Sequence, residues 1–371
     1  MPITDNILIA PRNLARNPVV ASMYAGANAT CRYRISSDNA ILYEGSITTI
    51  ADYAVVDLSD FFEYLKIAGL IQCRICLVDN ANIENSEKFF TVYGGGISKL
   101  LRRKLSAAAV DFFDWKLKNV NNNFFLTTRT NGRLIVIPED ELLPLKFYAK
   151  GLNFSVKVTG ETVATYDHSA DAAESLQEID FNTLRRSVMT TKNKLASAFD
   201  IITSTGGYAC TIVIAEVTER HDYFLKFINS LGAQEMISIT GLIQFNPTFS
   251  ELKSVALYDA VVNDLVDCPR RKTITNTYKA EIGYKTPEER LFVIDALLSD
   301  NCMLVANGEE YAVNVKTDGS LFQDTASQPT TISVNIEMLD KDYSFSPIDR
   351  HDVVLGIDNN IIEVDNFKIL V

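Results

Sequence analysis

The sequence predicts a mainly β, multi-domain protein: β-sandwich or β-barrel modules, each with a flanking helix. Three observations carry that expectation. Short apolar runs recur with turn signals between them. Asn-Gly and Thr-Gly pairs separate alternating stretches in the way that hairpin turns do. The 371 residues exceed what one hydrophobic core organises, and 47% hydrophobic content is enough to bury several cores.

Residues 1–20, with Pro2, Pro11 and Pro18, read as an extended N-terminal arm. A β-rich domain is expected over 21–150, from the runs "ATCRYRI", "AILYEGSI", "AGLIQCRICLV" and "KFFTVYG". It includes one helix over 98–118, because Leu101, Leu105, Ala108, Phe112 and Trp115 share a face. "FFLTTRTNGRLIVIP" reads as a hairpin turning at Asn131-Gly132, and "NFSVKVTGETVATY" as a second one turning at Thr159-Gly160. Residues 167–180 are polar and acidic and read as a loop, and 181–199 as an amphipathic helix. Two further β-plus-helix modules are expected, over 151–255 with a helix at 220–231 and over 256–371 with a helix at 287–298. The stretches from Ala215 and from Ala280 share a strand, helix, turn and strand plan, with Phe224 on Leu291, Phe227 on Ile294 and Met236 on Met303. That likeness is either a tandem repeat or the chance agreement of two apolar strand–helix–strand units.

The formal net charge of −12 argues against a sequence-reading nucleic-acid binder, since the phosphate backbone carries the same sign. The opening lacks the basic and apolar regions of a secretory leader. No apolar run reaches the ~18 residues of a membrane-spanning helix, so membrane insertion is not expected. The six cysteines read as buried thiols; Cys73 and Cys76 sit three apart on a strand and so face opposite ways.

The three glycines of "FFTVYGGGISKLLRRKLSAA" raise the question of a phosphate cradle. Gly94, Gly95 and Gly96 are contiguous and Lys99 is followed by leucine, so neither the P-loop nor the dinucleotide spacing is met. They read instead as a swivel that lets the chain leave a sheet at an unusual angle. The following helix then shows Lys99, Arg102, Arg103 and Lys104 on one side. That basic face is either solvated or, on so acidic a protein, a contact for a neighbouring copy. Gly94, Gly95, Gly96, Lys99, Arg102, Arg103 and Lys104 are the candidate interface.

Catalytic patterns are missing. His168, His221 and His351 stand singly beside aspartates and read as solvated or capping residues. The acidic pairs Glu139-Asp140, Glu288-Glu289 and Glu309-Glu310 are sequence neighbours, the wrong spacing on a strand for an acid and base sharing a substrate. Calcium loops fail at Ala81, Ile83 and Glu84, and again at Ala172. No enzyme activity and no cofactor is expected.

"HDYFLKFINSLGAQEMISITG", "TNTYKAEIGYKTPEERLFVIDALLSDNCMLV" and "FFLTTRTNGRLIVIPEDELLPLKFYAKG" resemble structural proteins of phages and prophages of Bacteroidetes bacteria. The resemblance spans roughly 90–345, although the turn Leu231-Gly232-Ala233-Gln234 lacks the nearby aromatic of that group. It implies a virion tail component similar to distal-tail or tail-hub proteins, forming rings around the tail channel. The implied partners are further copies of the chain and other tail proteins. Two other classes remain open: a carbohydrate- or receptor-binding β-sandwich, marked by surface tyrosines around one pocket, and a tail-associated hydrolase.

Overall fold

The computed structural model describes residues 6–342 apart from 25, 27, 39, 66–68, 80, 119–122, 130–131, 204–207, 219–220, 251–253, 270–272 and 318–330, together with strand residues 354–355, 361–364 and 367–370. The chain is mainly β, with several sheets and few helices. It divides into two units. The first comprises 1–218, 228–236 and 287–299; the second takes 219–227, 237–286 and 300–371.

The first unit opens with β1 (Ile7–Leu8), β2 (Arg12–Leu14), β3 (Val20–Tyr24), β4 (Thr30–Ser37), β5 (Ala40–Thr48), β6 (Tyr53–Asp57), α1 (Ser59–Tyr64), β7 (Leu70–Val78) and β8 (Glu84–Tyr93). Two sheets, β1-β3-β6 and β2-β8-β7-β4-β5, share a core that includes Met23, Ile35, Phe62, Ile75 and Phe90. Residues 1–20 were expected to be an arm, but from Ile7 they belong to this sandwich. β1 pairs with β3, β2 runs parallel to β8, and Ile7, Leu14 and Val19 are buried. Pro11 and Pro18 lie outside the strands, where no ladder hydrogen bond is lost, and Pro2 lies outside the described residues. On β7, Cys73 joins the core while Cys76 approaches the Arg34 carbonyl on the other face, beneath a lattice of Arg34–Glu44, Arg34–Glu84 and Arg74–Glu87 ion pairs.

Next come α2 (Lys99–Ala107), α3 (Phe112–Lys118), β9 (Leu134–Pro138), β10 (Leu145–Tyr148), β11 (Phe154–Val158), β12 (Ala164–His168), β13 (Leu176–Ile179), α4 (Phe181–Lys192), β14 (Ala198–Thr203) and β15 (Tyr208–Ala215). The expected helix over 98–118 is two helices. Ala109 takes a positive φ of 51° and the Asp111 carboxylate caps Phe113 N at 2.7 Å, so a second helix starts there. A sheet ordered β12-β11-β14-β15-β9 and the pair β10-β13 enclose Phe125, Phe147, Phe154, Phe181 and Phe199. A boundary at 150/151 would cut through this core.

The Thr159-Gly160 hairpin forms, as β11 and β12, with Gly160 at φ 85°. The hairpin expected at Asn131-Gly132 does not: β9 pairs in parallel with β15, and Phe125 bridges to Phe147 instead. Asn131 itself lies outside the described residues. The expected acidic loop contains the end of β12 and all of β13. α4, capped by Asp180 at Asn182 N and Thr183 N, stops at Asn193, which has a left-handed backbone that ends the helix before 199. His168 is buried between the Phe147 and Phe154 rings, and burial lowers its pKa; it is neither solvated nor a cap.

The remaining elements are β16 (Tyr223–Ile228), β17 (Gln234–Ser238), β18 (Ile243–Phe245), β19 (Thr248–Phe249), β20 (Ser254–Asp259), β21 (Asp264–Pro269), β22 (Ile274–Tyr284), α5 (Pro287–Leu297), β23 (Cys302–Ala306), β24 (Glu309–Thr317), β25 (Thr331–Asp342), β26 (Val354–Leu355), β27 (Ile361–Val364) and β28 (Phe367–Leu370). An eight-stranded sheet runs β17-β16-β23-β24-β25-β22-β18, with β19 also on β22. The helix expected at 220–231 is strand β16. Leu225, Phe227 and Asn229 are buried at period two, which is strand spacing, while α5 matches the expectation at 287–298. The tandem modules therefore dissolve. Phe224 and Phe227, aligned with Leu291 and Ile294 of α5, lie on a strand, and that strand, β16, is the neighbour of β23 in one sheet, with Tyr223 opposite Ala306 and Phe227 opposite Cys302. The boundary expected at 255/256 falls inside β20 and has no counterpart.

Candidate functional site

The triple glycine is a crossing of two backbones. Gly94, Gly95 and Gly96 are buried. Gly96 N donates to Ser230 O at 2.6 Å, Gly94 N to Gly69 O at 2.7 Å, and Gly95 O accepts from Arg16 N at 2.9 Å. Gly95 has φ 100°, and a Cβ there would lie 2.5 Å from the Leu231 carbonyl carbon. Gly232, at φ 84°, faces the Gly94 carbonyl with the same lack of room. Asn17 then fixes the exit, accepting from Ile97 N at 2.8 Å and donating to Ile97 O at 2.9 Å. The glycines thus serve close approach rather than swivelling, and, buried as they are, they offer no exposed surface for the contact with a neighbouring copy that was expected of them.

Beside this crossing lies a buried polar cluster that sequence reading missed. Arg129 Nη2 donates to Glu141 Oε2 at 2.7 Å and to the Met236 carbonyl at 2.5 Å, and the guanidinium sits 4.2 Å from the Phe292 ring centroid. Glu235 Oε1 accepts from Thr128 N at 3.2 Å and from Asn229 Nδ2 at 2.6 Å, while its Oε2 has no hydrogen bond among the described residues and lies 3.8 Å from Arg129 Nε. Asp295 accepts from Thr128 Oγ1 at 2.6 Å and from Ser230 N at 3.0 Å, and also takes the Ser230 hydroxyl. Asn229 ties the turn together, donating to Leu126 O at 2.8 Å and accepting from Ala233 N at 2.9 Å. Nearby, burial lowers the Lys116 amine to about 8. An aromatic seam of Tyr93, Phe112, Phe113 and Tyr148 with Leu14, Leu105 and Ala233 packs alongside.

Burial pushes the Glu235 carboxyl up to about 7, against the opposing pull of Arg129. The folded chain therefore holds a proton that the unfolded chain, with an ordinary carboxyl near pKa ~4.3, has already lost. Stability should fall as pH rises from about 4 to about 7 and level off above. Glu235→Gln should remove that slope and exceed the parent in stability at pH 8. Urea midpoints at pH 5 and pH 8 measure it, and equal slopes for both proteins would refute the assignment.

Of the other candidate interface residues, Lys99, Arg103 and Lys104 are exposed and Arg102 is half-buried. Ser98 caps α2, and Leu101 and Leu105 turn inward to the seam, which leaves the basic side outward with Leu100. A separate depression of about 380 Å³ lies on the first sandwich, lined by Tyr33, Tyr43, Asp57, Leu58, Asp60, Phe61 and Tyr64. The Tyr43 and Phe61 rings are 5.3 Å apart, Tyr43 and Tyr64 are exposed, and burial pushes the Tyr33 hydroxyl up to about 12. The alternation of β4 and β5 places Tyr33 and Tyr43 on one face, a signal that was available in the sequence.

No family model matches the sequence, and no curated protein matches it. Among solved structures, the chain is similar to fibronectin(III)-like modules of Clostridium thermocellum CbhA, with 10% identity over 58% of this chain and 97% of that one at a TM-score of 0.18. It is also similar to a structure concerning host cell surface retention of a 1.5-MDa bacterial ice-binding adhesin, with 9% identity over 89% and 86% of the two chains at a TM-score of 0.16. At these scores neither overlap bears on function.

Proposed function

We propose that this chain is a non-enzymatic structural protein of a phage tail, forming a ring or hub around the tail channel through contacts with its own copies and with neighbouring tail proteins. One observation carries the reading. The segments that resemble phage structural proteins supply Arg129, Asn229, Gly232 and Asp295, and all four lie in the buried cluster and crossing that lock the first unit. Charged groups held by mutual hydrogen bonds add rigidity, which suits a load-bearing part. The net charge of −12 suits a channel wall that passing DNA does not adhere to. Electron microscopy of purified virions, with the chain located by specific antibody, tests this. A tail ring containing the chain is expected; a stable monomer at high concentration that is missing from virions would overturn it.

The aromatic depression favours a second reading, a carbohydrate-binding β-sandwich. Tyrosine rings offer flat apolar faces to sugar C–H groups, and Asp57 and Asp60 offer acceptors to hydroxyls. Glycan-array binding by the isolated chain that is lost in Tyr64→Ala would support it. Silence across the array would remove it.

A further inference from the structure

We infer that the β20–β21 hairpin is the arm by which one copy docks onto α2 of the next, head to tail. The inference rests on the ring reading above and names its contact. Among the described residues, β20 and β21 form a two-stranded sheet of their own, with Leu257 opposite Val266 and Tyr258 opposite Leu265. A lone ribbon of this kind is marginal in water and gains from a third surface. This one is apolar on both faces: Leu257, Tyr258, Val262 and Leu265 are each more than half exposed, and Val261 at the tip is 95% exposed. Such a concentration of exposed apolar side chains marks an interaction surface.

The tip is also preorganised. Asp259 Oδ1 accepts from Val261 N at 2.8 Å, the Tyr258 hydroxyl bonds Asn263, and Asn263 takes the positive φ that closes the turn. Val261 and Val262 are thus presented in a fixed geometry, which reduces the ordering cost of docking.

Charge identifies the occupant. Residues 254–267 carry Asp259, Asp264 and Asp267 and no basic residue, while α2 carries Lys99, Arg102, Arg103 and Lys104 and no acidic one. Leu100, 65% exposed, supplies an apolar footing between the bases. An acidic, apolar ribbon and a basic helix with an apolar centre are complementary, and both exist on every copy. Because the two patches differ, the contact is heterologous and propagates around a ring or along a filament rather than closing as a twofold dimer.

The test is concentration-dependent light scattering of the full chain at low and moderate salt. The parent should associate, less so as salt rises. Val261→Ser with Val262→Ser should weaken association about tenfold or more, as should Asp264→Lys with Asp267→Lys, and separately Arg103→Glu with Lys104→Glu. A chain carrying both charge reversals should regain most of the loss, which no folding defect produces. All the altered side chains are exposed, so circular dichroism should be unchanged. Association that ignores the hairpin and α2 variants, or a parent that is monomeric at every soluble concentration, overturns the inference. A chain that associates in this way yet is missing from virions overturns the tail reading alone. One found in virions whose association ignores these variants overturns the hairpin contact alone.

Discussion

Gly95→Ala should destabilise the first unit by about 3 kcal/mol or more, the sum of a left-handed backbone cost and an overpacking cost. The backbone at φ 100° disfavours any Cβ, and the added methyl would meet the Leu231 carbonyl carbon at 2.5 Å. That neighbour is main chain, so no rotamer change relieves the clash. Gly160→Ala is the control. Gly160 has a similar φ of 85° but nothing within 4 Å of its Cβ position, so it should lose only the backbone component, about 1–2 kcal/mol. Urea unfolding of both variants decides the matter. Equal losses would mean that the crossing tolerates a side chain and is not a tight contact.

Arg129→Met should cost about 3–5 kcal/mol, because it leaves buried acids without their cation. Glu141 loses a 2.7 Å partner, the Met236 carbonyl loses its donor, and the Phe292 face loses the guanidinium stacked on it. Arg129→Lys should recover only part of this, since one ammonium cannot hold the same acceptors and also lie flat on a ring. Thermal unfolding at pH 7 measures both. A methionine variant as stable as the parent would show that the cluster is a passenger in the fold.

The β-rich class, the Thr159-Gly160 turn, α5 and the two-faced cysteines on β7 were legible because each depends on local pattern. The sites that matter most were not. Arg129, Glu141, Glu235 and Asp295 lie far apart in sequence, and nothing in the spacing of four ordinary charged residues announces that folding will bury them together. β16 misled for a different reason: Phe224, Phe227 and Leu231 also fit a helical spacing, and the alternation of Leu225, Phe227 and Asn229 that decides the case is only three residues long. The glycines were noticed, yet their role depends on the 230–232 backbone, which no local pattern predicts to be adjacent.

Because α5 is counted with the first unit while most of the residues between 219 and 286 are not, the order of synthesis matters. Translation must run on from Thr218 to Ser299 before Phe292 and Asp295 emerge, a wait on the order of ten seconds at ordinary elongation rates. Until then Arg129 lacks its ring and Thr128 its carboxylate, so a nascent chain truncated at 218 is an unfinished body, and expression fragments of this protein belong beyond α5 rather than before it.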